Sequence, residues 1–164
     1  MTTAIVVGNP KPSSRTLAAA NRLASALTGE PDLVVDLATV GPALLDWSSP
    51  EVTDLVKQVG AADLVIVASP TYKGAYTGLL KLFLDRFAGG TGLGGLAVPL
   101  MLGGSPAHAL APELTLRPIL TEIGATVPGR GLYVVDSAYD DPAAYADWLA
   151  ATKPLIDRYL NGRP

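Results

Sequence analysis

Five short apolar runs, each followed by a polar or glycine-bearing loop and then a helical pattern, constrain this chain more than any other feature. The runs are residues 3–8, 33–37, 64–68, 96–102 and 131–135. Short β-branched stretches that lack polar alternation read as strands buried on both faces. Between and after them, apolar residues recur at helical spacing over 17–27, 50–60, 77–88, 105–124 and from Asp140 to about Leu160. Residues 38–49 read as a loop in which Trp47 is a packing residue. Strand–helix alternation predicts an α/β domain over residues 1–164, with a parallel sheet covered by helices on both faces. For five strands the common order is 2-1-3-4-5, and ligands then sit outside the carboxyl ends of strands one and three.

Prolines mark the places where this pattern strains. Pro99 falls inside the fourth apolar run, although a central strand loses a ladder hydrogen bond at proline. Pro112 and Pro118 predict a break or kink in the 105–124 helix, and Pro154 predicts a kink in the last one. Asp140-Asp141-Pro142 is a helix start, with acidic residues and a proline at the first turn.

Three loops carry residues suited to a ligand. The first, Asn9-Pro10-Lys11-Pro12-Ser13-Ser14-Arg15-Thr16, joins strand one to a helix start. Free N–H groups and a partial positive charge make such a start an anion site; hydroxyls and cations add to it. A serine that caps the helix is compatible with this role. The loop matches neither G-x-x-x-x-G-K-[ST] nor G-x-G-x-x-G, which disfavours a nucleoside-triphosphate hydrolase and a Rossmann dinucleotide fold. The second loop, Ser69-Pro70-Thr71-Tyr72-Lys73-Gly74-Ala75-Tyr76-Thr77-Gly78, follows strand three. Its glycines let the backbone approach a flat ligand, and its tyrosines can flank one. The third loop is Gly103-Gly104-Ser105, with His108 beyond it. His108 reads as a helix-start residue bonded to backbone in preference to a catalytic proton donor. In the expected order, all three loops lie on one rim of the sheet.

Composition removes other chemistries. There is no cysteine and one histidine, so thiolate chemistry, disulfides and multi-histidine metal sites within one chain are excluded. A net charge of −3 argues against nucleic-acid or anionic-membrane partners. No apolar run is long enough to span a bilayer, and the N-terminus begins with a strand pattern in place of a signal peptide, so a cytoplasmic location is expected. Charged residues make up only 16%, and the 77–88 helix is apolar around most of its circumference. A helix apolar on more than one side is buried on more than one side, which predicts a homodimer or tetramer.

The three loop motifs, with Leu79-Leu80-Lys81 and Asp85 after the second and Leu116-Arg117-Pro118 after the third, resemble the NADPH-dependent FMN reductase family. The likeness covers nearly the whole chain and is greatest to the branch that serves alkanesulfonate monooxygenases. It implies a flavodoxin-like fold and FMN, with NADPH or NADH as hydride donor. It implies that Ser14, Arg15 and Thr16 hold the FMN phosphate, in a loop that brings Asn9, Lys11 and Ser13 to the same site. Pro70, Thr71, Tyr72, Lys73 and Gly74 would line the isoalloxazine. Gly103, Gly104, Ser105 and His108 would border the ring or ribityl chain. Asn9 stands where many relatives have serine, and Leu114 where some sulfonate-linked reductases carry an inserted tyrosine. The implied activity is reduction of FMN, with reduced flavin passed to an acceptor or a flavin-dependent monooxygenase. A flavin-dependent quinone or azo reductase, or a non-catalytic flavodoxin-like electron carrier, are the alternatives. No catalytic acid or base is expected, because the cofactor carries the chemistry.

Overall fold

The structure is a computed structural model and describes residues 1–162. Five parallel strands run β1 (Thr3–Val7), β2 (Leu33–Asp36), β3 (Leu64–Pro70), β4 (Leu96–Gly103) and β5 (Leu132–Val135). Their order is β2-β1-β3-β4-β5, as expected. The helices are α1 (Arg15–Leu27), α2 (Leu37–Val40), α3 (Pro50–Gly60), α4 (Gly78–Leu84), α5 (Arg117–Glu122) and α6 (Ala143–Asn161).

Strand residues alternate between two cores. Ile5, Val7, Ile66, Val98, Leu100 and Val134 face α1 and α6, where Leu23, Tyr145 and Ile156 are buried. Ala4, Val6, Val65, Val67 and Met101 face the other layer, with Val52, Leu80, Phe83 and Leu120. The central strands β1, β3 and β4 are buried on both faces, as their unbroken apolar runs predict, whereas the edge strands β2 and β5 are covered only in part. Each large buried side chain, Phe83 for example, contributes roughly 1.5–3 kcal/mol of transfer free energy.

Pro99 costs little, because its ring nitrogen faces a gap in the ladder. Leu96 N–H donates towards β3, to Asp63, and Ala97 N–H donates the opposite way, to Thr126. Alternation turns position 99 to the β5 side, and β5 pairs with β4 only from Leu100↔Leu132 onwards. No ladder bond is lost.

Three expectations about elements need correction. The 38–49 segment is not a plain loop: it contains α2 and a 3₁₀ turn over Gly41–Leu45. The Asp36 carboxylate caps α2, and the segment is too short to display a helical period. Trp47 is 68% exposed and does not pack in the core; the Arg86 guanidinium lies 5.0 Å from its ring centroid. The 77–88 helix ends at Leu84, after which Arg86 and Phe87 close tighter bonds to the carbonyls of Phe83 and Leu84. Arg86 also donates to the carbonyls of Asp46 and Trp47, which fixes that end. The last helix, α6, holds Pro154 inside it.

The predicted break at 112–118 takes a specific form. Pro112–Leu116 is a π-helix, and Arg117 N–H bonds the carbonyl of Pro112, five residues back. Pro118 has no N–H to offer the preceding turn, so the ladder there cannot keep α-helical spacing. The α5 helix resumes directly after it.

Candidate functional site

All strands being parallel, their carboxyl ends share one rim, and the three loops leave from it. They are bonded to one another. Gly8 N–H donates to the carbonyl of Ala68, at 2.8 Å. The Thr77 hydroxyl donates to the carbonyl of Gly8 and accepts from Leu80 N–H at 3.1 Å. Thr71 N–H donates to the carbonyl of Leu102 at 2.6 Å. A Cβ on Gly8 would stand 2.4 Å from Leu80 Cβ, so only glycine allows the first loop to lie against α4.

The first loop is a braced anion cradle. Asn9 accepts from Lys11 N–H at 2.9 Å and donates to the Thr16 hydroxyl at 2.9 Å, spanning the loop. Ser14 is the α1 cap, its hydroxyl accepting from Leu17 N–H at 3.2 Å. Both hydroxyls therefore accept from the chain and keep their own protons for an acceptor. The first-turn N–H groups of Arg15 and Thr16 meet no acceptor among the described residues. Ser13 takes the left-handed region at φ 52°, and its N–H donates to Asp36 at 3.0 Å. The Lys11 side chain is exposed. The Arg15 side chain extends to Asp136, 2.5 Å away, and over the Tyr139 ring. The hydrogen bond to Asp136 raises the Arg15 guanidinium above its ordinary value.

The second loop turns back at Lys73-Gly74. Both residues have positive φ, 53° and 79°, and Tyr72 and Ala75 pair across them, the arrangement of a tight I′ turn. Ser69 anchors the loop by accepting from Thr77 N–H at 3.0 Å. Tyr72 is 54% exposed on the outer side of the turn. The turn meets the third loop: a Cβ on Gly74 would lie 3.9 Å from His108 Cδ2. A groove of about 430 Å³ runs between Gly74, His108, Leu110, Leu114 and Thr115.

The third loop is shaped by Tyr133. A Cβ on Gly103 would sit 2.0 Å from the Tyr133 hydroxyl, which donates to the carbonyl of Ser105 at 2.7 Å. The Ser105 hydroxyl caps the short 3₁₀ turn Pro106–His108, and Gly104 has open space around it. Burial raises the Tyr133 phenol above its ordinary value, and the nearby Thr71 hydroxyl opposes that shift. Thr71 Oγ1 is itself buried and makes no hydrogen bond of normal geometry.

The structure thus brings the first loop, Pro70–Gly74 and Gly103–His108 to one rim. Asp36, Tyr133 and Asp136, which help to build that rim, were missed from sequence. The signal open to a reader was a carboxylate at the end of an apolar run, present in Asp36 and Asp136. A larger cavity, about 560 Å³, lies elsewhere, between α1 and α6, against Ala18, Arg22, Tyr139, Tyr145 and Leu149. It has no strand end and no glycine turn on its walls, so the rim is the better candidate.

Comparison with known proteins agrees with this geometry. The chain is 37% identical over 95 residues to FMN reductase (NADPH) of Escherichia coli, a match covering 58% of this chain and 50% of that protein. It therefore spans about half the length of that relative. It is 32% identical over 157 residues to the NADH-dependent FMN reductase SfnF of Pseudomonas fluorescens, covering 88% of this chain and 79% of that one. Among solved structures, an NADH:FMN oxidoreductase (EmoB) superposes with a TM-score of 0.84 at 29% identity, covering 99% of this chain and 91% of that one. The fold is flavodoxin-like, and residues 1–140 match the family model for NADPH-dependent FMN reductase. The chain belongs to the NADPH-dependent FMN reductase family.

Proposed function

We propose that this protein is an NAD(P)H-dependent FMN reductase that binds FMN across the carboxyl ends of β1, β3 and β4. One observation carries the reading. The unpaired first-turn donors of α1 share a rim with the Gly74–His108 groove, so an anion site and a flat-ligand site adjoin. FMN joins a phosphate to a planar ring, a combination that suits such a rim.

In this arrangement the hydroxyls of Ser14 and Thr16, with the N–H groups of Arg15 and Thr16, hold the phosphate. Asn9 keeps Thr16 in place, and Ser13 and Lys11 flank the loop. Backbone groups of residues 70–74 line one side of the ring. Gly103, Gly104 and Ser105, with His108 beyond, would border the other and could offer it N–H dipoles. What FMN supplies is acceptance of a hydride from the nicotinamide. Relatives named for NADPH and for NADH both match this chain, so either donor suits the reading. The reduced flavin then serves an acceptor or a flavin-dependent monooxygenase, and the protein works as a homodimer.

The test is oxidation of NADPH and of NADH by purified protein with excess FMN, then with a quinone and an azo dye. FMN-dependent turnover is expected. Turnover with the quinone or dye alone would move the assignment to those acceptors. No turnover with any of them would leave only an electron carrier.

A further inference from the structure

The phosphate loop carries two carboxylates as neighbours, one on each flank. Asp36, the last residue of β2, takes the N–H of Ser13 at 3.0 Å. Asp136, the first residue after β5, takes the Arg15 guanidinium at 2.5 Å. These are donors that an incoming phosphate would also seek. The Arg15–Asp136 pair is half in solvent, with side chains 60% and 40% exposed, and exposed pairs are weak. A phosphate dianion at the start of α1 would hold a guanidinium more firmly through paired, charge-assisted bonds. The Tyr139 ring under Arg15 keeps the side chain on the Asp136 side.

We propose that Asp136 sets the affinity for phosphorylated flavin by competing with the phosphate for Arg15. Binding exchanges one ion pair for another, and the carboxylate released to water is repelled by the new anion. The loop therefore holds FMN less tightly than its donor count suggests, which suits a flavin that exchanges during turnover. Asp136 is a positioning residue that acts through Arg15. The inference rests on the flavin reading above.

Flavin fluorescence titrations test it, with FMN and with riboflavin, on wild type, Asp136→Asn, Arg15→Ala and the double variant. Riboflavin has the same ring and no phosphate. Asp136→Asn is expected to tighten FMN roughly two- to fivefold, the reach of an exposed ion pair. It should leave riboflavin unchanged and have no effect in the Arg15→Ala background. Unchanged FMN affinity would overturn the proposal. Weaker binding would overturn it too, by showing that Asp136 steers Arg15 towards the phosphate. Tightening that survives in Arg15→Ala would reduce Asp136 to a general repulsive charge. If wild type binds neither flavin, the flavin reading falls first and takes this one with it.

Discussion

Gly8 shows how a residue readable in the sequence can matter for an unreadable reason. Its position at the end of the first apolar run is plain, but the contact that forbids a side chain lies across the fold, at Leu80. Gly8→Ala would force Leu80 Cβ, an atom close to the α4 backbone, to move. A loss of about 1–3 kcal/mol is expected in urea denaturation, the usual range for overpacking. An unchanged midpoint would show that the loop is free to shift. Asp136 is the opposite case: its partner Arg15 stands 121 positions earlier, and no local pattern pairs them. Lys73 lies between the two. A non-glycine residue at positive φ is unusual, and only Gly74 beside it is of the type that favours such a turn.

At the scale of elements, what was legible follows periodicity. Strands buried on both faces announce themselves as apolar runs, and helices of several turns show their stripe. The α2 helix and the 3₁₀ turns are too short for any period to develop. The π-helix was legible only as a break, because its form depends on which carbonyl Arg117 reaches once Pro118 withholds a donor. The α4 start is where element and site meet. Thr77 is 4% exposed, caps α4 and bonds the carbonyl of Gly8, so one hydroxyl ties the second loop to the first. Thr77→Val keeps the shape and removes both bonds. A loss of about 2–3 kcal/mol is expected from a cap plus a buried hydrogen bond. Chemical denaturation would measure it, and a change within error would mean that water replaces the hydroxyl. Thr77→Ser should restore most of the loss.

For the whole molecule, the sheet order and its rim were legible because parallel connections leave few topologies. The apolar surface was legible as low charge and as the apolar circumference of the 77–88 helix, and the structure adds the residues around it. Leu45, Trp47, Leu82, Leu110 and Leu114 are all exposed apolar residues on the α4 side of the sheet or on the segment that borders the groove. A homodimer would cover such residues, and light scattering should give twice the 16.9 kDa chain mass. A particle of one chain mass at micromolar concentration would contradict the dimer and leave the site intact. The central claim is narrower: FMN lies across the carboxyl ends of β1, β3 and β4. Amide hydrogen exchange with and without FMN tests it most directly. Slower exchange is predicted in residues 8–16, 69–78 and 103–110 together, and not along the α1–α6 groove. Protection confined to that groove, or to the amino ends of the strands, would contradict the account.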